Sequence, residues 1–188
     1  MARGDAWALL CEYTQSENLR RHALAVEAAL RAYARHFGED EEQWAVVGLV
    51  HDLDYERWPD PADHPLKGAA ILAEHGYPEH LVRAVKSHAE YLGLPRETSL
   101  EKALFAVDEL TGFIVAVALV RPTKSVLDVT VPSVKKKMKD KAFAAAVSRD
   151  DIRRGAEELG VDLDQHIETV ICAMQGIAGE LGLAGVPA

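Results

Sequence analysis

Six side chains in this sequence suit cation binding and fall on different segments: His22, His51, Asp52, His64, His88 and Asp108. His51 and Asp52 are adjacent, so the imidazole can hold one ion while the two carboxylate oxygens bridge it to a second. Asp108 lies amid Phe105, Val107 and Leu110 in a long apolar stretch. A carboxylate there is costly unless it is paired or bound to a cation. Imidazole nitrogen and carboxylate oxygen together suit Fe, Mn, Co, Ni or Zn better than Mg or Ca. Helical bundles build such sites in their cores from ligands on facing helices.

The elements that must position these groups read as helices throughout. Thr14-Gln15-Ser16-Glu17 has the pattern of a capping box, and Leu19, Ala23, Val26, Leu30, Tyr33 and Phe37 follow at helical spacing until Gly38. His22 is one turn into that helix. A second begins at Asp40, turns Trp44, Val47 and Val50 inward and runs out at His51-Asp52. Trp58-Pro59-Asp60-Pro61 is loop chemistry. His64 precedes a helix from Pro65 to Gly76, and Pro78 opens another that ends near His88. A long apolar helix after Ser99 carries Asp108 and stops before Pro122. A basic tract (Pro132 to Lys141) and helices near 150–159 and 164–181 complete the chain. No period-two alternation suggests a sheet. The expectation is an all-α, compact single-domain helical bundle over residues 1–188, with a core of about 16–120 and a helical extension of about 121–183.

Composition narrows the function. A net charge of −9 argues against a nucleic-acid polymer as partner. It leaves room for a small phosphorylated substrate whose charge is met locally. Cys11 and Cys172 show no metal-ligand spacing and read as ordinary thiols. The first residues lack a cleavable apolar core, and the run from Leu110 to Val120 is too short to span a bilayer, so a cytoplasmic location and no membrane partner are expected. Whether the long apolar helix packs within one chain or across a homodimer stays open.

The order His22 … His51-Asp52 … Asp108 resembles the signature of the HD superfamily of metal-dependent phosphohydrolases. The intervening His64 and His88 resemble the two extra histidines of its binuclear members. That resemblance implies His22, His51, Asp52 and Asp108 around a first ion, and a bridging Asp52 with His64 and His88 around a second. It implies one or two divalent ions, with Fe or Mn ahead of Co, Ni or Zn. The string Val50-His51-Asp52-Leu53-Asp54-Tyr55-Glu56 is similar to the HDIG subgroup, with Leu53-Asp54 in place of Ile-Gly. Asp54 is thereby a candidate proton shuttle or a carboxylate that supports a ligand.

Hydrolysis of a phosphate ester, such as a nucleotide or another small phosphorylated metabolite, is the leading expectation, with Asp52, Asp54 and Lys67 as catalytic candidates. Lys67 stands three residues after His64, one helical turn on, where it would share a face and stabilise phosphoryl charge. The tail lysines 135, 136, 137, 139 and 141 read mainly as a solvated face. His36, His75, His80 and His166 read as surface or structural residues. Two alternatives stay open: a mixed-valent di-iron oxygenase, whose ligand set is the same, and a non-catalytic nucleotide- or partner-binding helical module.

Overall fold

The computed structural model describes residues 2–185. Met1 and residues 186–188, which the single-domain expectation includes, lie outside the described residues. The described chain is all-helical: α1 (Arg3–Tyr13), α2 (Glu17–Phe37), α3 (Glu41–Val50), α4 (Leu66–Glu74), α5 (Glu79–Ser87), α6 (Ser99–Leu119), α7 (Val131–Met138), α8 (Arg149–Leu159) and α9 (Leu163–Gly176). Two short 3-10 turns, Glu90–Leu92 and Val126–Asp128, join them. One isolated bridge, Ser125 to Ala184, is the sole β pairing among the described residues.

Local chemistry sets the helix starts. Ser16 caps α2 by accepting a hydrogen bond from the Leu19 N–H, and Asp40 caps α3 by accepting from those of Glu42 and Gln43. For α6 the capping box is Thr98 with Glu101, one residue before the expected Ser99 start. Helix α1 is an addition to the sequence reading. It buries Ala6, Leu9 and Leu10 against the body without forming a continuous apolar stripe.

Helix α6 is the central post. It packs against α2, α5, α7, α8 and α9, and its Phe113, Ile114, Leu104 and Leu110 are fully buried. Two glycines allow the closest backbone approaches. A Cβ at Gly48 would sit 2.7 Å from the Glu27 Cα, and one at Gly155 would sit 2.5 Å from the Ala106 Cα. These contacts press α3 onto α2 and α8 onto α6, which fixes the helices carrying His22, His51 and Asp108.

His166, read from sequence as structural, joins three helices. Its Nε2–H donates to the Ala106 carbonyl at 2.9 Å, and the Tyr33 hydroxyl donates to Nδ1 at 2.5 Å. Burial pushes this imidazole down from 6.5 to about 4. The unfolded chain therefore binds more protons in that window, so stability present above pH 6.5 is lost as the pH falls to 4. The loss attributable to His166 is roughly 3 kcal/mol. Calorimetric unfolding of the protein and of His166→Asn across that window is expected to show a flatter pH dependence in the variant.

Candidate metal centre

The expected ligands converge from five elements. His22 comes from α2 and Asp108 from the middle of α6. His51 is the C-cap of α3, and Asp52 follows it in the turn. His64 stands just before α4, and His88 is the C-cap of α5. Within 4.8 Å of one another lie two groups of donor atoms, His22–His51–Asp108 and Asp52–His64–His88.

Asp52 stands between the groups. Its Oδ2 is 3.5 Å from His51 Nε2 and 3.8 Å from His22 Nε2. Its Oδ1 is 3.5 Å from His64 Nε2 and 3.4 Å from His88 Nε2. Asp108 Oδ1 lies 3.0 Å from His22 Nε2 and 3.5 Å from His51 Nε2. An ion with bonds of about 2.0–2.2 Å spaces neighbouring donors roughly 3.0–3.5 Å apart, in line with most of these distances.

The far sides of the imidazoles decide what their Nε2 atoms can do. His51 Nδ1 is 2.8 Å from the Gly48 carbonyl oxygen, and His88 Nδ1 is 2.5 Å from that of Val85. A carbonyl only accepts, so each Nδ1 carries the hydrogen and a neutral ring leaves Nε2 with a bare lone pair. His51 Nε2 is fully buried and has no hydrogen-bond partner. Bare lone pairs facing carboxylate oxygens repel, and either protons or cations must intervene. The donor set and this orphaned nitrogen both fit metal ions.

The electrostatics show the same demand for positive charge. Burial alone would raise the Asp52 carboxyl, but the imidazoles of His51 and His88 outweigh it and hold Asp52 below the carboxylate range. Asp108 is likewise held low against burial by His22 and His51. Burial opposes the charged form of His88, yet the hydrogen bond and charge of Asp52 raise it to about 9. Protonated imidazoles thus supply the compensating charge that metal cations would otherwise bring.

A family comparison decides the assignment: the HD domain model matches residues 19–112. The chain belongs to the HD domain family. Two curated relatives, ribonuclease Y from two strains of Nitratidesulfovibrio vulgaris, are each 30% identical over 101 residues, which is 52% of this chain. The chain spans only 18% of those relatives' length. No solved structure matches. Within the HD match, the adjacent His-Asp pair is His51-Asp52.

Other expected residues sit elsewhere. Asp54 is fully buried behind His64: its Oδ1 accepts from His64 Nδ1–H at 2.7 Å and its Oδ2 accepts from the Gly68 N–H at 2.6 Å. Asp54 thus holds His64 from behind, and each of its oxygens accepts one hydrogen bond. Lys67 is exposed, lies 3.9 Å from Asp63 and is absent from the walls of the pocket over the cluster. The physical reason is that its side chain turns to solvent and to Asp63, one turn back, so standing three residues after His64 does not bring it to the pocket. None of the tail lysines lines that pocket; Lys135 pairs with Asp164 at 2.6 Å. His36, His75 and His80 are exposed.

Several supporting residues escaped the sequence reading. Glu56 Oε2 accepts from the N–H groups of Gln15 and Ser16 at 2.6 and 3.0 Å, tying the His51-Asp52 turn to the start of α2. Arg57 donates to the Tyr13 carbonyl at 3.1 Å and lies 4.4 Å over the Tyr13 ring. The Tyr91 hydroxyl donates to the His64 carbonyl at 2.7 Å. These partners are long-range, and their only sequence signal was the clustering of Glu56 and Arg57 just after the His-Asp pair. Replacing Asp54 with Asn removes the charge that orients His64. Metal titration of Asp54→Asn should show one of two ions bound about 10–100-fold more weakly, with the other little changed.

Proposed function

We propose that this protein is a metal-dependent hydrolase of a small phosphate ester, built on a binuclear centre with Asp52 as the shared ligand. The observation that carries the reading is Asp52 itself, whose two oxygens face separate imidazole pairs. His22, His51 and Asp108 would hold one ion and His64 and His88 the other. Divalent ions so held would supply Lewis acidity toward phosphoryl oxygens and would lower the pKa of a water toward neutrality.

The chain's own residues provide orientation and exclusion. Gly48 and Val85 carbonyls and the Asp54 carboxylate fix the rings that present Nε2. Thr111 Oγ1 donates to the Asp108 carbonyl at 2.8 Å and stands 3.5 Å from His22 Nδ1. A pocket of about 500 Å³ opens over both donor groups, with Leu19, Phe105 and Val147 among its apolar walls. That volume suits a small substrate, and access to both groups favours catalysis over a purely structural ion. In the reaction a water oxygen bonds to phosphorus as the ester P–O bond breaks. The alcohol leaves with one proton of the water, and the other ends on phosphate or solvent.

Reconstitution with Fe, Mn, Co, Ni or Zn, followed by a panel of phosphate esters, tests the proposal. At least one metal is expected to restore phosphate release that a chelator abolishes, and His88→Ala should lower turnover by at least 100-fold. Oxygen uptake coupled to substrate loss, with no phosphate release, would replace hydrolysis with the oxygenase reading.

A further inference from the structure

The walls of the pocket beyond the six candidate ligands are unusual for a site that takes a phosphate. Among the described residues no lysine or arginine lines them. Three acidic side chains do: Glu90, Glu109 and Asp151. Two of these are already neutralised from behind. Arg96 and Arg154 donate to Glu90 at 2.9 and 2.7 Å, and Arg154 also pairs with Asp151. Those guanidiniums are spent on carboxylates and do not line the cavity.

Glu109 differs. Its Oε2 accepts from the Ser148 N–H at 3.0 Å, while Oε1 has no hydrogen-bond partner and the carboxylate no lysine or arginine partner among the described residues. Helix α6 places it one residue after Asp108, on the wall facing the cluster. Burial and the neighbouring Asp108 raise this carboxyl to about 7, and a cationic group beside it favours its ionised form. Oε1 then offers an acceptor and negative charge to whatever part of a substrate lies beside the phosphoryl group.

Two divalent ions would bring four positive charges, and Asp52, Asp108 and the buried Asp54 behind His64 already offset three of them before any substrate enters. A second phosphate or a carboxylate on the substrate would meet no cation on the walls and would face Glu109 in a site where charges are poorly screened.

We propose that the pocket selects substrates with one phosphoryl group and an uncharged or cationic remainder, whose hydroxyl or ammonium donates to Glu109 Oε1. This rests on the phosphohydrolase reading and adds a substrate class that excludes nucleoside polyphosphates and nucleic-acid strands, whose flanking phosphates would have no partner.

Three phosphate monoesters of similar size separate the cases: phosphoethanolamine (ammonium), glycerol phosphate (neutral) and phosphoglycerate (carboxylate). The metal-loaded protein is assayed for kcat/KM on each, and for ligand-induced rise in Tm as an independent measure of binding. The first two are expected to exceed phosphoglycerate by at least tenfold in both readouts, and a nucleoside diphosphate and an RNA oligonucleotide to be poor substrates. Glu109→Gln, which keeps an acceptor for Ser148, should shrink the advantage of phosphoethanolamine over phosphoglycerate more than that of glycerol phosphate. Glu109→Lys should move the preference toward phosphoglycerate by tenfold or more. Equal handling of phosphoglycerate, or RNA cleaved as fast as the best monoester, would overturn charge selection and leave the hydrolase reading standing. The expected order in binding without turnover of any ester would support charge selection and remove the hydrolase reading. No binding of any ester overturns both.

Discussion

The constraint on which the rest depends is the placement of one carboxylate, Asp52, between two sets of imidazole nitrogens at 3.4–3.8 Å. Neutral imidazoles with Nδ1 occupied cannot face carboxylates stably without positive charge between them. Every nearby element serves that arrangement. Helix α3 delivers His51 and Asp52 at its end, where the chain is free to turn. Helix α6 delivers Asp108 from its buried middle, where the ring of apolar packing prevents retreat into solvent. The fold therefore concentrates charge where only cations, or protons standing in for them, relieve it.

Around that core the supporting bonds are graded by distance in sequence. His51 and His88 are oriented by carbonyls three residues earlier on their own helices, so their orientation follows from helix ends alone. His64 depends on Asp54, ten residues away across a loop. Glu56 holds the turn to the start of α2 over forty residues. Of the three rings, His64 alone is oriented by a side chain across a loop, which makes it the most sensitive of them to changes there. The acidic wall is likewise a product of long-range contacts, because Glu109 meets Ser148 only where α8 packs onto α6.

Much of this was legible in the sequence. Capping residues such as Ser16 and Asp40, apolar spacing and glycine stops locate the helices, and an aspartate amid Phe105, Val107 and Leu110 marks a buried charge in need of a partner. The HD match over residues 19–112 agrees with the reading drawn from the order of histidines and aspartates. Other features were not legible. Helix α1 carries too short and irregular an apolar pattern to be separated from a tail. Lys67 looked like a partner of His64 on spacing alone, whereas its side chain turns to solvent and to Asp63. Asp54 reads in sequence as either a proton carrier or a support, and its contacts with His64 and the Gly68 N–H become visible only in the fold. Glu109 beside Asp108 gives no hint that α8 will neutralise its neighbours and leave it exposed to the pocket.

The most direct test of the shared carboxylate is metal stoichiometry by elemental analysis on the protein beside Asp52→Ala, with helical content checked by circular dichroism. Two ions per chain in the protein, both lost together in a folded variant, is the predicted result. A folded Asp52→Ala chain that still holds both ions would contradict the account, because Asp52 would then bridge nothing.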